Sequence, residues 1–184
     1  MSDLRSVIEG IDGQLETVRK DSVFVDLLSS EDTEELHKFI LIGIGPLNIA
    51  ISIDSLAEIG PLPSVTSLPN LPIWIQGIVN LRSEIVSVVD FGEYLNLSGR
   101  VTCEGKRIAV LRHNQLKVGL RVDRIIGTVK KGDSEKQSLG TAGVTELDGT
   151  FFSSLFEVEE NQYYILNVEK LLTSSSLVNF NQTV

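Results

Sequence analysis

The sequence predicts a mainly β fold, built as barrels or a sandwich. Three observations carry this. Apolar residues alternate with period two from Phe39 onward, the candidate strands are short and bounded by tight turns, and helical spacing is confined to brief stretches. A length of 184 residues with 42% hydrophobic content suits one ordinary domain with a short appendage.

The appendage comes first. Leu4, Val7, Ile8, Ile11, Leu15 and Val18 recur at helical spacing and make one apolar stripe. Gly10 and Gly13 weaken that helix by about 1 kcal/mol each relative to alanine. Ser29 to Glu35 then reads as a solvated linker. Residues 1–36 are therefore expected to form an acidic extension, an amphipathic helix plus linker, ahead of a main domain over 37–184. Its helix either docks loosely on a tether or offers its stripe to a partner's groove.

Phe39 to Ile44 is a near-continuous apolar run that stops at Gly45-Pro46. Leu47, Ile49, Ile51 and Ile53 then alternate with smaller or polar residues, as a half-buried strand demands. Ile73 to Leu81 and Ile85 to Val89 are strand-like runs on either side of Arg82-Ser83-Glu84. Phe91 to Leu97 has the spacing of a short helix closed by Ser98-Gly99. Ile108 to Leu111 and Leu116 to Val122 flank His113-Asn114-Gln115, a hairpin signature. Arg124 to Val129, Phe151 to Val158 and Tyr163 to Val168 supply further strands, and Glu169 to Thr173 a closing helical turn.

Composition excludes several function classes. Twenty-five acids against sixteen bases give a formal charge of −9, which repels nucleic-acid phosphates and anionic lipid. Residues 1–37 carry ten acids and three bases, so the remaining chain has a net charge of only −2. A single cysteine, Cys103, rules out an internal disulfide and a multi-cysteine metal site. The first residues lack a basic, then apolar, secretory pattern, and no apolar run is long enough to span a bilayer. A soluble cytoplasmic protein is the expectation.

Catalytic equipment is sparse. His37 and His113 stand far apart, and neither lies in a carboxylate-rich motif. Cys103 neighbours Glu104, which raises a thiol pKa instead of lowering it. Nucleophile-elbow, phosphate-loop and zinc-protease motifs are missing. Gly43-Ile44-Gly45, with Pro46 behind it, reads as a strand-ending turn and not as a dinucleotide loop. The expectation is no enzyme, no cofactor and no metal.

The densest signal lies between Leu56 and Leu97. Pro69 and Pro72 impose an extended entry into a strand. Trp74 fits either a core or an interface. Gly77 interrupts a strand rich in Ile and Val, which marks a bulge or a close backbone approach. Asn80-Leu81-Arg82-Ser83 follows, and Arg82 sits at a turn, either tying the turn together or facing a partner.

The stretch Leu68 to Asp90 resembles the signature of the chemotaxis coupling proteins, the CheW-like family: a proline, an aromatic-bearing strand, a glycine, V/I-x-N-L-R-G, an apolar strand, then an acid and a short helix. Every element is present except the glycine after the arginine, which is Ser83 here. Leu56-Ala57-Glu58-Ile59 resembles the family's "V-x-E-I". Leu116 to Ile126 resembles its "VGLxVDxV" strand, and Ile165 to Leu172 its closing "ILNxxKLL". The resemblance spans Lys38 to Leu172. It implies two small SH3-like five-stranded barrels with short helices, Asn48 to about Leu97 building one barrel and the first strand with the C-terminal half building the other. It also implies a non-catalytic adaptor that couples the cytoplasmic tips of methyl-accepting chemoreceptors to the CheW-like regulatory domain of a CheA-type histidine kinase, with no cofactor, no nucleic acid and no membrane insertion. Arg82, Glu58, Leu56, Ile59, Gly77 and Asn80 are the implied protein-interface residues. A CheW-like adaptor of pilus-based (twitching) motility and a small hydrolase using Cys103 or His113 are the alternatives.

Overall fold

The computed structural model describes residues 35–96, 104–139 and 150–178. The expected helix and most of the linker in 1–36, and Cys103, lie outside them.

Among the described residues, ten strands form two five-stranded sheets. Strands β1 (His37–Ile44) and β2 (Leu47–Ser52) make a hairpin, and a 3-10 turn at Ile53–Ser55 leads into β3 (Leu56–Pro61). The hairpin of β4 (Ile75–Leu81) and β5 (Glu84–Val89) is followed by the short helix α1 (Phe91–Tyr94). Then come β6 (Arg107–His113), β7 (Leu116–Val122) and β8 (Arg124–Lys131). The hairpin of β9 (Phe152–Val158) and β10 (Asn161–Leu166) precedes helices α2 (Val168–Leu172) and α3 (Ser175–Val178).

One sheet runs β8-β1-β2-β10-β9 and the other β3-β6-β7-β5-β4. An isolated bridge closes each into a barrel: Gln137 to Leu155 in the first, Thr66 to Ile78 in the second. This agrees with two five-stranded barrels but redraws the expected division. Leu47–Ser52 does not start the second barrel, because its antiparallel pairing with β1 and parallel pairing with β10 hold it in the first sheet. Arg107–Val122 belongs to the second barrel, joined by the β3–β6 ladder and the parallel β5–β7 pair.

Element ends also move. The strand expected from Ile73 begins at Ile75, just past Pro72, whose carbonyl accepts from Ile75 N–H. The strand expected to reach Val168 stops at Leu166, because the Asn167 side chain accepts from Lys170 N–H at 2.9 Å and caps α2. Asp90 caps α1 in the same way, accepting from Glu93 N–H at 3.2 Å, and that helix ends at Tyr94.

Three apolar cores explain the continuous runs. Phe39 and Leu41 point into the first barrel with Phe156 and Tyr163. Val79, Val86, Val88, Ile108 and Val110 fill the second. The largest core lies between the barrels: Ile40, Ile42 and Ile44 of β1 meet Leu111, Leu120 and Val122 there, together with Phe91 and Leu171. Strand β1 is thus buried on both faces, and alternation vanishes from its sequence for that reason. Trp74 packs at the edge of this core, its ring edge-on to Tyr94 at 5.1 Å. The Gly43-Ile44-Gly45 stretch ends β1 in a turn: Gly45 has φ +52, and its N–H donates to Asp123 Oδ2 at 2.6 Å.

Candidate interaction site at the mouth of the second barrel

The β4–β5 hairpin turns through only two residues, Arg82 and Ser83, between the paired Leu81 and Glu84. Both have positive φ, +49 and +70, as a two-residue connection matched to strand twist requires. Neither is glycine, so the turn carries strain that its surroundings must offset. Asn80 contributes: its side-chain Oδ1 accepts from Ser83 N–H at 3.0 Å.

That turn projects Arg82 into solvent, with its side chain 84% exposed. Its Nε reaches Glu58 Oε2 of β3 at 3.3 Å. Strands β3 and β4 are the two ends of the sheet order. The Arg82–Glu58 pair therefore bridges the seam where the barrel closes. Farther along the same seam, Thr66 exchanges two backbone hydrogen bonds with Ile78, at 2.8 and 2.9 Å. Gly77 makes that approach possible. Its φ is +142, and a Cβ there would sit 2.3 Å from the Thr66 carbonyl oxygen. The ladder also shifts register between Ile75 and Gly77, so the bulge and the close approach expected at this glycine coincide.

At this mouth of the barrel lies a groove of about 310 Å³, lined from all five strands of the sheet. Leu81, Val86 and Val110 form its apolar floor, and Glu58, Arg82, Glu84, Arg112 and Lys117 contribute the charges of its rim. Lys117 Nζ pairs with Glu84 Oε2 at 2.5 Å. The two carboxylates are each engaged by a cation, whereas Arg112 pairs with no carboxylate among the described residues.

The structure thus brings Arg82 and Glu58 together, with Asn80 supporting the turn behind them. Leu56 and Ile59 are half-buried and pack against the inter-barrel core, and Gly77 is buried beneath Thr66. Glu84, Arg112 and Lys117 were not singled out from sequence. The hairpin at His113-Asn114-Gln115 holds the signal that finds two of them, since its register sets Arg112 opposite Lys117.

The histidines are engaged in surface pairs, His37 with Asp133 at 3.5 Å and His113 with Glu169 at 3.9 Å. Among the described residues no group of histidine, cysteine and carboxylate side chains is placed to hold a metal ion, and no helix is long and apolar enough to cross a membrane.

Residues 38–176 match the family model described as CheW-like domain. The chain is 26% identical over 141 residues to the chemotaxis protein CheW of Klebsiella aerogenes, a match covering 77% of this chain and 84% of that one. It is 27% identical over 75 residues to protein PilI of Pseudomonas aeruginosa, covering 39% and 42% of the two chains. Among solved structures, scaffolding protein TtCheW from Thermoanaerobacter tengcongensis superposes with a TM-score of 0.62 at 22% identity, covering 72% of this chain and 89% of that one.

Proposed function

The chain belongs to the CheW-like domain family, and from that premise we propose that it is a non-catalytic adaptor coupling chemoreceptors to a CheA-type histidine kinase in chemotaxis signalling. It works in the cytoplasm, recruited to receptor arrays. The observation that carries the reading is the family match across both barrels, 38–176, joined to an exposed Arg82–Glu58 pair at a barrel mouth.

In this reading Arg82 and Glu58 contact the partner. An exposed guanidinium beside an apolar-floored groove suits that task, because its planar fork bonds carboxylates and carbonyls while its stem covers apolar surface. Asn80 holds the turn that presents Arg82. Leu56, Ile59 and Gly77 keep the seam strands in position. The match to a relative named chemotaxis protein CheW over most of both chains supports the chemotaxis assignment.

Reconstitution tests this. Receptor-bearing membranes, the organism's own CheA-type kinase and this protein should co-sediment as a ternary complex, with kinase autophosphorylation raised above the two-component mixture. Absence of any ternary complex would refute the adaptor reading. The PilI match favours a second reading, an adaptor for pilus-based motility. Deleting the gene separates the two: loss of swimming bias supports chemotaxis, and loss of twitching with intact swimming supports the pilus system.

A further inference from the structure

The charges around the barrel-mouth groove do not balance. Its rim holds three cations and two carboxylates. Arg82 and Lys117 are occupied by Glu58 and Glu84. Arg112, exposed on β6, is left without a carboxylate among the described residues. The floor is purely aliphatic at Leu81, Val86 and Val110, the last two only 2% and 3% exposed. At about 310 Å³ the groove lies at the small end of ligand sites, so it admits a side chain or two and not a cofactor.

We propose that this groove receives an aliphatic side chain flanked by a carboxylate, supplied by an acidic peptide segment of the protein partner, with Arg112 as the counter-ion. The inference deepens the adaptor reading, on which the identity of the site as a partner surface rests. The aliphatic floor selects a branched apolar side chain by burial. The guanidinium selects the acid, because a charge-assisted hydrogen bond to a carboxylate is stronger than one to a neutral acceptor. A basic segment would face Arg112, Arg82 and Lys117 and could gain an acid only by breaking one of the two existing pairs. The chain as a whole is acidic, so recognition comes from contact inside the groove and not from long-range steering.

The test uses three acetylated, amidated pentapeptides titrated into the full-length protein and followed by backbone amide NMR: Glu-Leu-Glu-Leu-Glu, Lys-Leu-Lys-Leu-Lys and Glu-Ser-Glu-Ser-Glu. The acidic leucine peptide should saturably shift Val86, Val110 and Arg112, and the other two should bind at least about tenfold more weakly. Arg112→Gln should erase the preference for the acidic over the basic leucine peptide without moving the thermal melt. Lack of saturable shifts at the groove, equal binding of the basic peptide, or an undiminished preference in Arg112→Gln would each overturn the proposal. Reconstitution with receptor and kinase separates the two claims. Ternary assembly without peptide binding sinks the groove chemistry alone, and peptide binding without ternary assembly sinks the adaptor reading alone.

Discussion

Gly77 is a position where a single added methyl group meets backbone. In Gly77→Ala the new Cβ would stand 2.3 Å from the Thr66 carbonyl oxygen, 2.8 Å from its carbon and 2.9 Å from a Val65 methyl. The first two are backbone atoms and cannot rotate away. The segment must retreat, which breaks the paired hydrogen bonds between Thr66 and Ile78, each worth about 1 kcal/mol. Alanine must also adopt φ +142 or abandon it, at a cost of about 1–3 kcal/mol. The sum, roughly 3–5 kcal/mol, is a large share of a typical stability of about 5–15 kcal/mol. A urea melt reads it directly, and the thermal midpoint should fall by about 10 °C or more for a chain of this size. Hydrogen exchange at the Ile78 amide should accelerate before that at the core strand β6. A Gly77→Ala variant that stays within about 1 kcal/mol of wild type, with Ile78 still protected, would refute the closed-seam argument.

Ser83→Gly should stabilise the protein by about 1 kcal/mol in urea, because glycine adopts the φ of +70 without the Cβ penalty. Removal of residues 1–36 should leave the thermal midpoint of the remaining chain within a few degrees of full length, since the first strand of the barrels begins at His37; a collapse of tens of degrees would place the Leu4 to Val18 stripe in the core. Hydrogen bonding and charge from Lys136 hold the Asp133 carboxyl below its ordinary 3.8, and the Lys131 ammonium with the Gly132 N–H holds Glu135 below 4.5. Depressed carboxylates stabilise above their unfolded values and lose that contribution as pH falls through the folded ones. The double variant Asp133→Asn, Glu135→Gln should thus melt slightly below wild type at neutral pH, with the gap closing under acid; a gap that persists or widens below both values would contradict the assignment.

Much of this was legible in the chain. Period-two alternation located β2 and β7, an apolar β-rich run located β5, and the Asn114 turn located the β6–β7 hairpin, because these features depend on neighbours in sequence. Gly77 announced a close approach through its mere presence among β-branched residues. Which strands share a barrel was not legible. The parallel pairs β2–β10 and β5–β7 join segments far apart along the chain, and no local pattern encodes them. Strand β3, Leu56–Pro61, did not stand out as a separate strand, since it is half-buried with little alternation. The Arg82–Glu58 pair likewise joins two residues that sequence named separately. Arg112 carries no local signal because its significance is relational: it is the groove cation left over after two pairs are formed.

In the adaptor reading, Arg82 serves binding and not folding. Its ion pair with Glu58 is mostly exposed on the arginine side, and such pairs contribute about 0–1 kcal/mol to stability. Titration calorimetry of Arg82→Ala with the regulatory domain of the cognate kinase, alongside a urea melt of the same preparation, tests it. The expected result is an affinity loss of about 2 kcal/mol, roughly thirtyfold, with stability changed by less than about 1 kcal/mol. Wild-type affinity combined with a large loss of stability would contradict it and make Arg82 a tie across the barrel seam.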